Sequence, residues 1–291
     1  MTMPQDRFDY SAVVDREPLK LPGDARIVVW TIVNVEEWDI RAAMPRGVLP
    51  APGGASVVPD VPNWAWHEYG MRVGFWRLKA ALDNHQIKAT MAINASVCLS
   101  YPRVAGAARD AGWEFMGHGF TQKALHLEDD QRDTIRKSVE TIREFVGKPP
   151  RGWLGPGLTE TWDTLDLLAQ EGIEYVSDWV TDDQPHEIQT AYGSLAMVPY
   201  SLEVNDIPIM LVQHHAAREL FDRACDQFDR LYQEGENSAR IMAMAVHPYV
   251  TGVPHRIKYF EKIYEYMKGC PGVLFWTGEQ ILDWYREQGR E

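Results

Sequence analysis

The chain has 291 residues, 45% of them hydrophobic, and a formal charge of −13 at neutral pH. That length and apolar content suffice for one large core or barrel, and the acidic balance excludes a nucleic-acid or anionic-membrane partner, which would need a basic face. Three widely spaced cysteines, Cys98, Cys225 and Cys270, lack metal-knuckle spacing and fit a reducing compartment; with no apolar leader and no membrane-length run, a soluble cytoplasmic protein is expected.

Residues 1–25 are polar and proline-dotted and read as an arm, with 26–291 as a single domain. The first strand is the run 27–33, apolar on both faces as in a parallel sheet, and it leads into Asn34-Val35-Glu36-Glu37. Strict alternation sends Glu36 and Glu37 to opposite faces, so both serve one pocket only if the strand unwinds there. Residues 39–66 carry Pro45, Pro50, Pro52, Pro59 and Pro62 and end in Trp64 and Trp66, the composition of an ordered lid over a small closed pocket. Apolar spacing and stop residues such as Gly112, Gly147 and Gly172 predict helices over 69–84, 101–111, 129–146, 160–170, 218–234, 256–268 and 279–286. Between them, strands are predicted over 88–94, 113–116, 151–154, 173–176, 197–200, 207–212, 240–246 and 273–275.

Strands alternating with helices of this length imply an α/β protein with a parallel sheet and right-handed crossovers. The polar residues favour a barrel over an open sheet. Glu36 and Glu37, Asn94, His118, Trp153, Asp178, His214 and His215, and His247 each follow the C-terminal end of a predicted strand. In barrels of alternating strands and helices that end carries the active site.

In these motifs the chain resembles the polysaccharide-deacetylase (NodB-homology) superfamily, whose fold is a distorted (β/α)7 barrel. There the first strand ends in two aspartates, a catalytic base and then a metal ligand; Glu36 and Glu37 stand in their places. The family's histidine pair reads His118-Gly-Phe-Thr-Gln122, with glutamine at the second position. Its fourth-strand arginine is absent from Trp153-Leu-Gly-Pro-Gly157, and its last histidine matches His247. Glu68-Tyr-Gly-Met-Arg72-Val-Gly74, Ser177-Asp178 with Asp182-Asp183, and His247 through Arg256 resemble the branch holding the deacetylase-type allantoinases and cyclic imide hydrolases.

Glu36 or Glu37 is expected to take the proton from water, the motif match favouring Glu36, and His247 is expected to protonate the leaving nitrogen or stabilise the oxyanion. His118 either holds a metal or orients substrate. Glu37, His118 and the amide oxygen of Gln122 are the candidate ligands for one divalent metal such as zinc, a short set against the three strong ligands a catalytic zinc usually has. Arg72 is expected to replace the missing arginine. Asn94, Trp153, Asp178 and His215 are expected to line the substrate pocket, whereas Asp182 and Asp183 read as a solvated loop or cap. The activity implied is hydrolysis of a small cyclic amide, imide or ureide. Metal-dependent deacetylation of an amino-sugar polymer is the alternative, and an inactive small-molecule-binding barrel is a third. The expected partners are a small-molecule substrate and, through homo-oligomer formation, further copies of the chain.

Overall fold

The apolar run at the start of the domain forms β1 (Ile27–Val35), buried at every position. The computed structural model describes residues 6–55 and 57–288, so the first five residues of the arm lie outside the described residues. The further strands are β2 (Thr90–Ile93), β3 (Glu114–Gly117), β4 (Gly152–Trp153), β5 (Tyr175–Val176), β6 (His186–Thr190), β7 (Gly193–Met197), β8 (Arg240–Val246) and β9 (Val273–Phe275). Their order is β6-β7-β5-β4-β3-β2-β1-β8, with β9 beside β1. Every pairing is parallel except the β6–β7 hairpin. Without β6 and β9, the curled path is the expected distorted (β/α)7 barrel.

β1 has three neighbours. It pairs with β8 from Ile27 to Val33, with β9 from Ile27 to Val29 and with β2 from Ile32 to Val35. That leaves no solvent-facing edge, and both its faces are apolar because one meets the inner cluster and the other the outer helices. The barrel has a seam beside β8, crossed by Ile241 N–H to Asp183 O (2.9 Å) and by a bridge between Asn205 and Ala245. The N-terminal arm laces the same region: Ala239 N–H donates to Leu19 O (2.9 Å), and Arg16 pairs with Asp182 at 2.6 Å.

The period of two sorts the strand side chains. Val28, Trp30 and Ile32 point inward with Ala92, Met116, Leu154, Tyr175, Ala196, Ala243 and Ala245. Ile27, Val29, Val33 and Val35 point outward under α2 (Phe75–Asn84), α7 (Arg218–Glu234) and α8 (Ile257–Lys268). Trp153, Val176, Ile188 and Leu195 form another outward layer, under α5 (Gln131–Val146) and α6 (Thr164–Gln170). Here α5 is capped by Asp130, which accepts from Asp133 N–H at 3.0 Å, and stopped by left-handed Gly147. α9 (Gly278–Gln288) packs Ile281, Leu282 and Trp284 against the inner cluster.

Several predicted elements differ. The strand expected over 197–200 lies earlier, as β7, and the helix expected from residue 160 starts at Thr164. The strand expected over 207–212 is a π-helical turn, Pro208–Val212, where Pro208 sits in the first turn and lacks the N–H a strand ladder would use. The helix expected from residue 69 begins earlier, as α1 (Val61–Tyr69), capped by the Asp60 side chain with Pro62 in its first turn. It runs through a π-helical turn, Gly70–Gly74, into α2. The π turn lies where the helix meets the loop after β8. A Cβ on Gly70 would come within 2.6 Å of Tyr249 N, and one on Gly74 within 2.1 Å of Pro248 O. Only glycine admits that approach. Among the described residues no helix is long and apolar enough to cross a membrane.

At the barrel floor Glu114 is buried between two hydroxyls, Thr90 Oγ1 and Tyr175 OH, each donating to it at 2.6 Å. Thr90 Oγ1 in turn accepts from Trp30 Nε1 (2.7 Å) and Gly278 N–H (3.1 Å). Burial pushes the Glu114 carboxyl up to about 7, against those two hydrogen bonds. The fold therefore favours the protonated acid. That stability is complete below the ordinary carboxyl value of 4.5 and is lost as pH rises toward about 7. Urea unfolding should show roughly 3 kcal/mol less stability at pH 8 than at pH 4.5 from this group. Glu114→Gln should remove that part of the slope; equal slopes in both proteins would refute the assignment.

Candidate active site

Glu36 continues the inward row of β1 by one step beyond Asn34, which sets its carboxylate in the barrel mouth. It is 1% exposed, as sealed as His118 at 3% and His247 at 4%. A carboxylate so buried must be compensated. Arg46 Nη1 donates to Oε1 (3.0 Å) and Oε2 (3.2 Å), Trp38 Nε1 to Oε2 (2.8 Å) and Tyr249 OH to Oε2 (2.9 Å). The Glu36 carbonyl accepts from His67 Nε2 at 2.8 Å. Burial works to raise the Glu36 pKa, but Arg46 and then His247 outweigh it and hold the group well below the usual carboxylate range.

His247 continues the inward row of β8. Its Nδ1–H donates to Asp206 Oδ1 at 2.6 Å, and its Nε2 stands 3.5 Å from Glu36 Oε1. Asp206 Oδ2 also accepts from His247 N–H (2.8 Å) and Thr251 Oγ1 (2.6 Å). Burial disfavours a charged imidazole, yet Asp206 and Glu36 prevail and hold His247 above its ordinary value. Asp206, His247 and Glu36 thus form a relay in which two carboxylates favour the charged form of the imidazole between them, and Arg46 supplies a further positive charge.

His118 differs. Its Nδ1–H donates to Leu154 O at 2.5 Å, which leaves Nε2 with a lone pair. Burial, with Arg46 and His247 nearby, pushes this imidazole down to about 4 against the pull of Glu36. It is therefore a neutral acceptor at physiological pH. Asn94 brackets the strand ends: its Oδ1 accepts from Glu37 N–H (2.8 Å), and its Nδ2 donates to His118 O and to Gln122 Oε1 (3.2 Å). With every polar atom engaged and no exposed surface, Asn94 positions the site rather than binding substrate.

The donor set does not fit a catalytic zinc. His118 Nε2 is a suitable ligand, whereas Gln122 offers only a neutral amide oxygen, which also accepts from Asn94 at 3.2 Å. Glu37 leaves the inward row, and its charge is felt at Tyr101, beside Glu68; its Oε2 is buried without a hydrogen-bond partner. Among the described residues no group of three or more His, Cys, Asp or Glu side chains is placed to hold a metal ion.

The insert expected to be a lid lies on the site. Asn63 of α1 accepts from Val48 N–H (2.8 Å) and Leu49 N–H (3.0 Å) and donates to Leu49 O (2.8 Å), fixing the turn that carries Arg46. Trp38 stacks on His67 with centroids 4.7 Å apart and meets Tyr249 and Trp66 edge-on. Trp64 Nε1 donates to Trp38 O at 3.2 Å.

Other expected residues lie elsewhere. Trp153 belongs to the outward layer and is fully buried there, so it cannot wall a pocket. Asp178 Oδ1 accepts from Gly155 N–H at 2.7 Å, tying the end of β5 to the loop after β4. His214 and His215 are exposed before α7, and Arg72 is exposed on the π turn. The guanidinium on the Glu36 carboxylate is that of Arg46, not Arg72. Arg46, Asp206, Trp38 and Tyr249 were missed by sequence reasoning. Arg46 had a signal, being the sole charged residue between Arg41 and Asp60, and Tyr249 is two residues past the His247 motif. Asp206 had none.

Asp206→Asn should lower kcat by roughly 10²–10⁴. It should also move the alkaline limb of the kcat/KM profile to lower pH, because the largest charge favouring the imidazolium is removed. A limb that stays in place would separate Asp206 from the acid.

A family model for polysaccharide deacetylase matches residues 67–176. A Schizosaccharomyces pombe protein provisionally named a polysaccharide deacetylase is 28% identical over 302 aligned positions, 92% of each chain. The Helicobacter pylori peptidoglycan deacetylase is 24% identical, over 81% of this chain and 91% of its own. Among solved structures, a Pseudomonas aeruginosa protein also provisionally named a polysaccharide deacetylase superposes with a TM-score of 0.85 at 25% identity, over 94% of this chain and 95% of that one. An allantoinase superposes at 0.86 and 24% identity, over 98% of this chain and 100% of that one, which speaks to the fold alone. The barrel, the motif positions and these relatives agree: the chain is similar to the polysaccharide-deacetylase superfamily, with the family's domain matched over residues 67–176, and it is a hydrolase of carbon–nitrogen bonds other than peptide bonds.

Proposed function

We propose that this hydrolase opens the C–N bond of a small cyclic amide, imide or ureide. The observation that carries the reading is the Asp206–His247–Glu36 relay, sealed beneath an insert whose own arginine reaches the base. Amide hydrolysis needs a base for water, an acid for the departing nitrogen and a place for the oxyanion charge. Glu36 is the base, and the imidazolium of His247, 3.5 Å away, is the acid. Asp206 fixes the His247 tautomer and sustains its charge, as the aspartate does in a Ser-His-Asp triad. Neutral His118 offers a lone pair to a substrate N–H. In the closed state Arg46 reduces the basicity of Glu36, so full basicity returns when a ligand draws that guanidinium away.

The cover over the site supports a small substrate. A polymer must lie across an open groove, whereas here the insert contacts Glu36 directly and the reacting side chains are almost wholly buried. The names of the relatives support the second reading, deacetylation of amino-sugar polymers. That reading requires the insert to leave the mouth altogether and a metal to be held by a poorer donor set.

A turnover panel of hydantoin, dihydrouracil, succinimide and a chitin oligomer separates the two. At least one ring should be opened and the oligomer neither cleaved nor inhibitory. Glu36→Gln should lower turnover of that ring by roughly 10²–10⁴ with the melting temperature near that of the parent. Deacetylation of the oligomer, with every ring inert, would replace this reading by the second.

A further inference from the structure

The donor set that fails to hold a metal raises the question of what takes the charge of the oxyanion, and Arg46 is placed to do so. All three of its hydrogen bonds, to Glu36 Oε1, Glu36 Oε2 and Tyr249 OH, are made by the single nitrogen Nη1, at 3.0, 3.2 and 3.1 Å. Nη1 has two hydrogens for these three acceptors. Nε and Nη2 make no hydrogen bond to any described residue, although a guanidinium beside a carboxylate commonly uses two nitrogens in a fork. The Arg46 side chain is 22% exposed, whereas that of Glu36 is 0% exposed. The unused edge is thus the cationic part of the site left without a partner among the described residues. Asn63 holds the turn behind it through Val48 and Leu49, so the guanidinium is carried by the insert rather than by the barrel.

We propose that Arg46 is the resident cation of this active site: its free edge takes the oxygen of the scissile carbonyl and stabilises the oxyanion, the task a divalent metal performs in metal-dependent members of the superfamily. This rests on the hydrolytic reading above, which it deepens. Water attacks the carbonyl carbon as Glu36 takes one of its protons, and the carbonyl π pair moves onto the oxygen held by Arg46. That pair re-forms the carbonyl as the C–N bond breaks, and the nitrogen leaves with the proton of His247. The products are one carboxylic acid and one amine, amide or urea nitrogen, and the proton on Glu36 returns to His247. A ligand with an oxygen in the plane of its ring, as in an imide or ureide, matches the planar edge.

The test uses the full-length protein, with Arg46→Ala and Arg46→Lys, the ring turned over best in the panel, and acetate and succinamate as carboxylate probes. Arg46→Ala should lower kcat by roughly 10²–10³, as loss of one oxyanion donor does, with a smaller change in KM. Added guanidinium should restore at least tenfold of that loss, and added zinc or magnesium should not. Arg46→Lys should recover only part of it. Chelation should leave the parent unaffected. Restoration by zinc, or an Arg46→Ala variant whose defect lies wholly in KM, would overturn the proposal. Calorimetry with acetate and succinamate separates it from the substrate reading, because ring opening and deacetylation both leave a carboxylate at this point. If no ring is turned over but carboxylate binding weakens at least tenfold in Arg46→Ala, the cation assignment stands and the substrate reading falls. Binding indifferent to Arg46, or absent from the parent, overturns the assignment. If Arg46→Ala melts below the assay temperature, Arg46→Lys reads the same kcat, rescue and binding changes.

Discussion

One buried carboxylate, that of Glu36, sets the terms for the rest of the molecule. An isolated carboxylate in a low-dielectric interior is far too costly to persist as an ion unless hydrogen-bonded and paired. Here its partners come from separate parts of the chain: Arg46 from the insert, Trp38 from the loop after β1, and Tyr249 and His247 from the loop after β8. Each fixes something else in doing so. Tyr249 requires the close approach at Gly70, and Trp38 requires the stack on His67. The charges close as well, with Glu36 and Asp206 against Arg46 and His247 and with His118 neutral. A site balanced in this way can stay dry when the insert is down.

Much of this was legible because a strand has a period of two. Rows that point inward on β1, β2, β3 and β8 lead to Glu36, Asn94, His118 and His247, all named from sequence. The same parity explains the residues that went elsewhere. Trp153 sits next to inward Leu154 and so faces the helices, and Asp178 lies an odd number of residues beyond inward Tyr175. Glu37 follows Glu36 and departs from it for the same reason. Position at a strand end is therefore only half of the criterion; phase within the strand is the other half.

The unread part has a different cause. Arg46 and Asp206 lie in segments with no strand or helix period, so neither direction nor partner follows from spacing. Arg46 meets a carboxylate ten residues earlier, and Asp206 meets an imidazole 41 residues later. Helix α1 was obscured by its own content, since Pro62, Trp64 and Trp66 close a proline-rich stretch and were read as lid. They are both: a capped helix whose Asn63 anchors the lid turn. The expected strand at 207–212 had the right apolar content, but Pro208 turned it into a helical turn.

Closure and the altered donor set are best understood together. A carbonyl polarised by a bound ion needs ligands that stay arranged around that ion whether or not the site is covered. A guanidinium carried on the insert is different, because it reaches the reacting oxygen only when the insert is down and water is excluded. In that state the local dielectric is low, and a fixed charge acts more strongly than it would in an open cleft. The closed state also holds the base in check, since Nη1 of the same guanidinium rests on Glu36 while its other edge is free. A ring oxygen that draws Arg46 away would strengthen the base and gain its own stabilising charge in one movement. A polymer that propped the insert open would gain neither.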